Sequence, residues 1–191
     1  MNKNIVLCGV GGQGTVLASK LIAAAAMHKN IPVMSAETIG MAQRGGSVFS
    51  HLRMGDDLYS PMIETGTADL IIGFEPGEAV RMLPYLKEGG HVVVSSRTIA
   101  PVTATLGGSS YDGQEMLNYL QSVVPDLTIV DGETACREIG SPKVLNMVLL
   151  GAAARTGMLG LTEEDIKDAI VRTLPEKFHA LNFQALTYTA K

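Results

Sequence analysis

The sequence predicts one α/β domain, spanning 1–191, with a doubly wound, mainly parallel sheet. Three observations predict this class: short apolar runs typical of buried strands, helical patterns between them, and a glycine-rich segment directly after the first run. Continuous apolar runs are typical of parallel strands that helices cover on both faces. Alternation of strands and helices is the pattern of doubly wound sheets.

Runs of apolar residues without charge mark the predicted strands. The four clear runs are Ile5–Cys8, Leu70–Ile72, Val92–Val94 and Thr128–Val130, and a fifth candidate is Pro32–Ala36. Between the runs, apolar residues recur at helical spacing within Thr15–His28, and a shorter helix is predicted over Gly77–Leu86. The first strand, glycine loop and helix therefore have a Rossmann-like order.

One segment departs from this pattern and predicts an inserted β-hairpin. Ser47–Met54 has the alternation of a half-buried strand, and Gly55–Asp57 supplies turn residues. Leu58–Ser60 is the predicted return strand. Such a hairpin would form an antiparallel edge or flap on the parallel sheet.

The last third of the chain is predicted to be helical. Ser141 is a good N-cap and is followed by Pro142, a residue favoured in the first turn, so a helix is expected from here to Gly157. Thr162 opens a second helix, with Asp165 three residues later in the pattern of a capping box. A third helix is expected after Pro175.

Composition excludes several classes of partner. The net charge is −4 and the pI is about 5.5, whereas nucleic acid or an anionic membrane favours a basic surface. The longest apolar stretch, Val144–Ala154, is shorter than the roughly 18 residues of a membrane span. The N-terminal residues lack the pattern of a secretory signal. We therefore expect a soluble cytoplasmic protein whose two cysteines, Cys8 and Cys136, are buried thiols.

The glycine-rich segment Gly9–Gly14 is the sharpest chemical feature. It satisfies G-x-G-x-x-G between a strand and a helix, where glycines let a pyrophosphate approach the helix N-terminus. Gln13 adds an amide that we expect to be exposed at the loop tip. Glu37, about 20 residues further on, is placed to bind a ribose hydroxyl. The alternative is a purely structural strand-to-helix turn.

A second polar, glycine-rich segment follows, over 37–47. Arg44 beside two glycines suits a phosphate or carboxylate clamp, because its guanidinium binds such groups in a bidentate way. The alternative is a solvated arginine. Glu75, after the strand at 70–72, is better explained as a charge that complements a helix dipole. The candidate cofactor-binding residues are Gly9, Gly11, Gly12, Gln13, Gly14, Glu37, Gln43, Arg44, Gly45 and Gly46.

Catalytic signatures are missing from the sequence. There is no nucleophile elbow, no P-loop lysine and no evident acid–base pair near the glycine loop. The histidines lack metal-ligand spacing, and they are His28, His51, His91 and His179. We predict no catalytic residue and no metal ligand, which suggests a subunit whose partner carries the reactive cofactor.

Five segments occur in an order and spacing that resemble a known family. They are Gly9–Gly14, Gly40–Ser47, Ser50–Arg53, Tyr59–Pro61 and Gly73–Pro76. Together they resemble the γ-type domain of 2-oxoacid:ferredoxin oxidoreductases. The second segment is most similar to the small β subunit of the indolepyruvate members. The resemblance continues to about residue 178 and so covers nearly the whole chain.

The resemblance implies a subunit of an enzyme that decarboxylates a 2-oxo acid, passes electrons to ferredoxin and releases an acyl-CoA. It implies that thiamine diphosphate and iron–sulfur clusters belong to a large partner subunit, and that this chain holds no cofactor and has no activity alone. Coenzyme A would be a co-substrate, with the glycine loop and Arg44 as its anion contacts. Two alternatives stay open: an NAD-dependent dehydrogenase, and a free-standing nucleotide- or CoA-binding module.

Overall fold

The computed structural model describes residues 2–39, 45–100 and 110–189. Its described strands form one six-stranded sheet in the order β2-β3-β1-β4-β5-β6. The strands are β1 (Lys3–Val10), β2 (Val33–Ile39), β3 (Ser47–Met54), β4 (Ala68–Gly73), β5 (Leu86–Ser95) and β6 (Leu127–Val130). The helices of the described residues are α1 (Thr15–His28), α2 (Pro76–Met82), α3 (Gly113–Val123), α4 (Gly132–Ile139), α5 (Leu145–Arg155), α6 (Glu163–Thr173) and α7 (His179–Leu186).

The predicted doubly wound, parallel core is confirmed. Strands β1, β4, β5 and β6 pair in parallel, and the four clear apolar runs lie within them. Alternate residues face opposite sides: Leu7 packs with α1 and the C-terminal helices, whereas Val6 packs with α2 and α3. Both side chains are fully buried. Helices thus cover both faces, which explains why these runs lack polar alternation.

The predicted partner strand of the hairpin is wrong. Strand β3 pairs antiparallel with β1 on one side and with β2 on the other, so the hairpin consists of β2 and β3. Leu58–Ser60 lies outside the sheet, because both edges of β3 already have partners. The chain turns away at Gly55, whose N–H donates to the carbonyl of Pro32 at 2.9 Å. Arg53 Nη1 then holds the departing segment through the carbonyl of Ser60 at 2.9 Å.

The C-terminal third is helical, as predicted, with differences at the helix ends. The capping box is confirmed: Thr162 Oγ1 accepts from Asp165 N at 3.2 Å, and the Asp165 carboxylate accepts from Thr162 N at 2.8 Å. Ser141 caps a 3-10 turn over Pro142–Val144, and α5 begins only after it. None of the described helices is long and apolar enough to cross a lipid bilayer.

Both cysteines are buried free thiols, as predicted. Burial raises the pKa of the Cys8 thiol, and the nearby carboxylates of Glu78 and Glu75 raise it further. Burial also raises the pKa of Cys136, although the positive charge of Arg97 opposes this. Neutral thiols of this kind pack as small apolar groups.

Strand β3 carries a buried histidine, His51, which fixes the segment that follows the strand. His51 is 1% exposed, and its Nδ1 accepts a hydrogen bond from the backbone N–H of Ile63 at 2.9 Å. Tyr85 packs edge-on against the imidazole, with the ring centroids 4.9 Å apart. Burial lowers the pKa of His51, so the folded chain favours the neutral imidazole that this hydrogen bond requires.

We expect His51 to make folding stability depend on pH. The pKa is depressed in the folded chain and about 6.5 in the unfolded chain, so stability falls as the pH drops below about 6.5. Urea unfolding at about pH 7.5 and about pH 5.5 measures this loss. His51→Gln keeps an acceptor but does not titrate, so it should lose less stability over the interval than the native chain. An equal loss in both proteins would contradict the assignment.

Candidate anion-binding site

The glycine loop joins the carboxyl end of β1 to α1 and leaves the start of that helix open. Gly11 N donates to Gly46 O at 2.8 Å, and Ala18 N donates to Gly14 O at 3.0 Å in the first helical bond. Gly14 is the N-cap, with φ +86°, and no side chain caps the helix. The N–H groups of the first turn therefore remain available to an anion, where the helix dipole favours negative charge.

Close packing explains two of the three motif glycines. A Cβ at Gly9 would lie 2.7 Å from both Gln13 Oε1 and Phe74 Cβ, and a Cβ at Gly14 would lie 2.8 Å from Asn146 Nδ2. Gly12, which is at a variable position of the motif, has φ +100°, and a Cβ there would meet no heavy atom within 4 Å. The loop is thus tightly packed at its two ends and open at its tip.

The expectation that Gln13 exposes its amide is wrong. Gln13 Oε1 accepts from Val10 N at 2.8 Å, and its Nε2 donates to Phe74 O at 2.8 Å. The side chain therefore bridges the loops after β1 and β4, whose helices α1 and α2 lie on opposite faces of the sheet. This is the switch point at which doubly wound proteins commonly bind ligands. Gln13 fills this crevice because its amide satisfies two backbone groups there.

On the β4 side, the start of α2 already holds a carboxylate. Glu75 is 2% exposed, and its carboxylate accepts from Glu78 N at 3.0 Å and from the Tyr111 hydroxyl. This confirms that Glu75 complements the start of α2. Burial raises the pKa of Glu75, while the Tyr111 hydrogen bond acts in the opposite direction. Glu78, also buried, accepts from Ser47 Oγ at 2.6 Å. Two acidic groups make this side unfavourable for phosphate.

On the other side of the loop lies an electropositive cleft of about 570 Å³. It separates the glycine loop from the start of α5, and Arg97 and Lys143 supply its charged side chains. No carboxylate lines it, and none in the described residues forms an ion pair with either cation. The described lining residues are Gly11, Gly12, Gln13, Gly14, Leu17, Arg97, Ile99, Pro142, Lys143, Leu145 and Asn146.

Arg97 and Lys143 were not identified from the sequence. A usable signal existed for Arg97, which follows β5 by two residues, since loops at the carboxyl ends of parallel strands line ligand crevices. Lys143 carries no such signal, because it reaches the cleft only through the packing of α5 against α1. Asn146, in the first turn of α5, is a buried polar residue with an exposed fraction of 3%.

The structure does not bring Glu37 to the glycine loop. Glu37 is exposed on the edge strand β2 and pairs with Ser50, which in turn pairs with Leu7. Strand β3 thus separates Glu37 from β1 by two strand spacings, about 10 Å. It is level with Leu7 rather than with the loop, so the expected ribose contact has no support in this geometry.

The second glycine-rich segment contacts the Gly9–Gly14 loop through Gly46. Gly46 accepts the hydrogen bond from Gly11 N, and Gly45 has φ +74°. Gln43 and Arg44 lie outside the described residues. Of the predicted set, the described residues bring Gly46 to the Gly9–Gly14 loop, and Gly45 precedes it in sequence.

This geometry defines a Rossmann-like α/β domain with an electropositive cleft beside its glycine loop. The chain belongs to the pyruvate ferredoxin/flavodoxin oxidoreductase family, whose model matches residues 4–191. It is 37% identical to indolepyruvate oxidoreductase subunit IorB of Thermococcus kodakarensis, over 98% of this chain and 94% of that protein.

The chain is also similar to other oxidoreductase subunits, at lower identity. The chain is 29% identical to the common subunit gamma of the pyruvate/ketoisovalerate oxidoreductases of Thermococcus litoralis, over 88% of this chain and 87% of that one. The crystal structure of pyruvate oxidoreductase subunit PORC from Thermotoga maritima superposes with a TM-score of 0.71 at 19% identity, covering 97% of this chain and 93% of that chain. At this identity the structural likeness shows the fold.

We expect Gln13→Ala to destabilise the chain. The change leaves Val10 N and Phe74 O without their side-chain partner, at a cost of about 1–3 kcal/mol for each buried group left unsatisfied. Chemical denaturation measures the change in the free energy of unfolding. Gln114→Ala is the matched control, because Gln114 is exposed on α3 and bonds only locally to Asn118 through its side chain. Equal effects of the two changes would contradict the bridging role.

Proposed function

We propose that this chain is the small, cluster-free subunit of an indolepyruvate ferredoxin oxidoreductase. The observation that carries the proposal is the 37% identity to an indolepyruvate oxidoreductase subunit, along nearly the whole of both chains. Identity to the gamma subunit that serves pyruvate and ketoisovalerate enzymes is lower, at 29%. An arylpyruvate is therefore the preferred 2-oxo acid.

The assembled enzyme would oxidise a 2-oxo acid and coenzyme A to an acyl-CoA and carbon dioxide, with two electrons passing to ferredoxin. Thiamine diphosphate on the large subunit would supply the decarboxylation chemistry, and its iron–sulfur clusters would carry the electrons. This chain does not fit a cluster, because a cluster needs about four cysteines whereas the sequence has two, both buried. The described residues also contain no group of three side chains suited to a metal. We place the complex in the cytoplasm, without a membrane partner.

In this proposal the glycine loop contacts coenzyme A. The loop presents open N–H groups at the start of α1, and the adjacent cleft is electropositive. Coenzyme A carries a diphosphate and a ribose phosphate, which are the anions that such a helix start favours. Gly11, Gly12 and Gly14 form the proposed contact surface on this side. Gln43 and Arg44, which lie outside the described residues, are proposed as further contacts of coenzyme A from their place in the sequence.

The geometry does not favour an NAD-dependent dehydrogenase. Glu37 is on the far side of β3 from the glycine loop, and Gln13 fills the crevice at the switch point. A dinucleotide bound in the usual manner needs an acidic residue near the ribose and an open crevice for its pyrophosphate. The described residues provide neither.

An exposed aromatic residue supports docking to a larger subunit. Tyr59 is 89% exposed and Met62 is 51% exposed, both in the segment that follows β3. Two hydrogen bonds hold this segment to β3, from Arg53 Nη1 to Ser60 O and from Ile63 N to His51 Nδ1, and within the segment Ser60 Oγ accepts from Met62 N. A rigid segment loses little entropy on binding, and tyrosines are frequent at the energetic centres of interfaces. We assign this surface to the large subunit.

The function is tested by co-expressing the chain with the large thiamine- and cluster-bearing subunit of the same organism. Affinity purification under anaerobic conditions should recover both chains. The complex should reduce ferredoxin or a viologen dye only with both indolepyruvate and coenzyme A present, and a panel of 2-oxo acids should favour arylpyruvates. A large subunit with full activity in the absence of this chain would contradict the proposal.

We expect Tyr59→Ala to weaken assembly without unfolding the chain. Removal of an aromatic anchor at the centre of an interface typically costs about 2 kcal/mol or more, which corresponds to roughly thirtyfold in Kd. Binding of the purified small subunit to the large subunit is measured by biolayer interferometry. Tyr119→Ala is the control, because Tyr119 is also exposed, at 49%, but belongs to α3 and not to this segment. Equal Kd values for the two variants would show that this surface is not the interface.

A further inference from the structure

Strand β2 is a long, free edge of the sheet. It has seven residues and pairs with β3 in an unbroken register on one side, whereas none of the described strands pairs with its other side. The opposite edge strand, β6, has four residues. Natural edge strands are usually protected by a lysine, a proline, a bulge or a short length, and β2 has none of these within its bounds. Its outer N–H and C=O groups are therefore suited to pair with a further strand.

A buried hydroxyl beside this edge lacks a hydrogen-bond partner. Ser50 of β3 is fully buried, and its Oγ has no partner among the described residues. Ser50 is opposite Glu37, which is exposed and is the only charged residue of β2. Opposite residues of an antiparallel pair share a face, with Cβ atoms about 5 Å apart, so the carboxylate is within reach of this hydroxyl. A carboxylate that a further strand covers needs protein donors in place of water, and Ser50 supplies one.

A second copy of β2 matches this edge in one antiparallel register. A two-fold axis at Ala36, the middle residue of the strand, gives each of the seven residues a partner in the other copy. Ser35 is then opposite Glu37 of the second copy, and Met34, which is 37% exposed, is opposite Thr38. An axis at Ser35 leaves the end of the strand unpaired. An axis at Glu37 places two like charges opposite each other, which is unfavourable.

We propose that two copies of this chain associate through β2, antiparallel about Ala36, so that their six-stranded sheets form one continuous sheet. At both symmetric positions the Glu37 carboxylate accepts from Ser50 Oγ of its own chain and from Ser35 Oγ of the second copy. The same residues are contributed by each copy, as a two-fold interface requires. The pairing does not depend on the proposed function. Tyr59 lies outside β2, so the pairing does not use the surface assigned to the large subunit.

A disulfide across the axis tests the register directly. In Ala36→Cys the two new thiols are opposite each other, with Cα atoms about 4.5–5.5 Å apart, so mild oxidation should link most of the protein into a covalent dimer on a non-reducing gel. Thr38→Cys is the matched control on the same face of β2. Its two thiols are offset by four residues, about 14 Å along the strands, which a disulfide cannot span. The native cysteines are buried, so the native chain should not link.

Charge substitutions test the opposition of Ser35 and Glu37. Sedimentation equilibrium distinguishes the 20.2 kDa chain from a dimer of twice that mass and gives the Kd. Ser35→Glu places like charges opposite each other twice and should raise the Kd on the order of tenfold. Adding Glu37→Lys should restore the native Kd, because opposite charges then face each other. Gln114→Glu, which adds the same charge at an exposed position of α3, should leave the Kd unchanged.

Both experiments use the full chain, alone and in complex with the large subunit, and thermal unfolding verifies that each variant folds. If the isolated chain is monomeric, the yield of the Ala36→Cys link in the complex replaces the Kd. No link in either preparation would overturn the pairing, as would a link in Thr38→Cys or a dimer that is insensitive to Ser35→Glu. Protection of β2 from hydrogen exchange in the complex, without an Ala36→Cys link, would show that the large subunit covers the edge instead. A dimer that lacks 2-oxo acid activity with its partner would support the pairing and overturn only the function.

Discussion

The insertion of β3 beside β1 is the constraint on which the rest of the site depends. Eight residues of β3 pair antiparallel with β1, from Lys3–Met54 to Val10–Ser47, in the position that the next parallel strand would otherwise take. This pairing moves β2 to the edge and carries Glu37 away from the glycine loop. It also brings Gly46 to Gly11, and it makes the chain leave the sheet at Gly55, where Tyr59 is presented.

The two sides of the glycine loop differ in charge because of what each neighbouring helix start contains. On the β4 side, Glu75 and Glu78 occupy the first turn of α2, and hydrogen bonds from Tyr111 and Ser47 hold them in place. On the α5 side, Arg97 and Lys143 line the cleft, and no carboxylate is among the described lining residues. Gln13 lies between the two sides and closes the switch point. This difference in charge favours the α5 side for the anionic ligand of the proposed function.

Much of the fold could be predicted from local sequence because its causes are local. The runs at Leu70–Ile72 and Val92–Val94 are apolar on both faces, which only a strand between two helical layers requires. The capping box at Thr162 and Asp165 is formed by residues three positions apart. The return strand expected at Leu58–Ser60 was wrong, because the partner of β3 is chosen by competition between distant segments. Local alternation describes a strand but does not identify its neighbour.

The sequence by itself determined the glycine loop between a strand and a helix, the parallel core and the buried thiols, because each depends on neighbouring residues or on composition. Only the tertiary structure decided how the loop is used. Gln13 looked like a ligand contact, yet it satisfies Val10 and Phe74, since β4 lies next to β1. Lys143 and Asn146 are far from Gly14 in sequence and line the same cleft only because α5 packs on the same face as α1. Convergence of this kind depends on long-range packing, which no local pattern encodes.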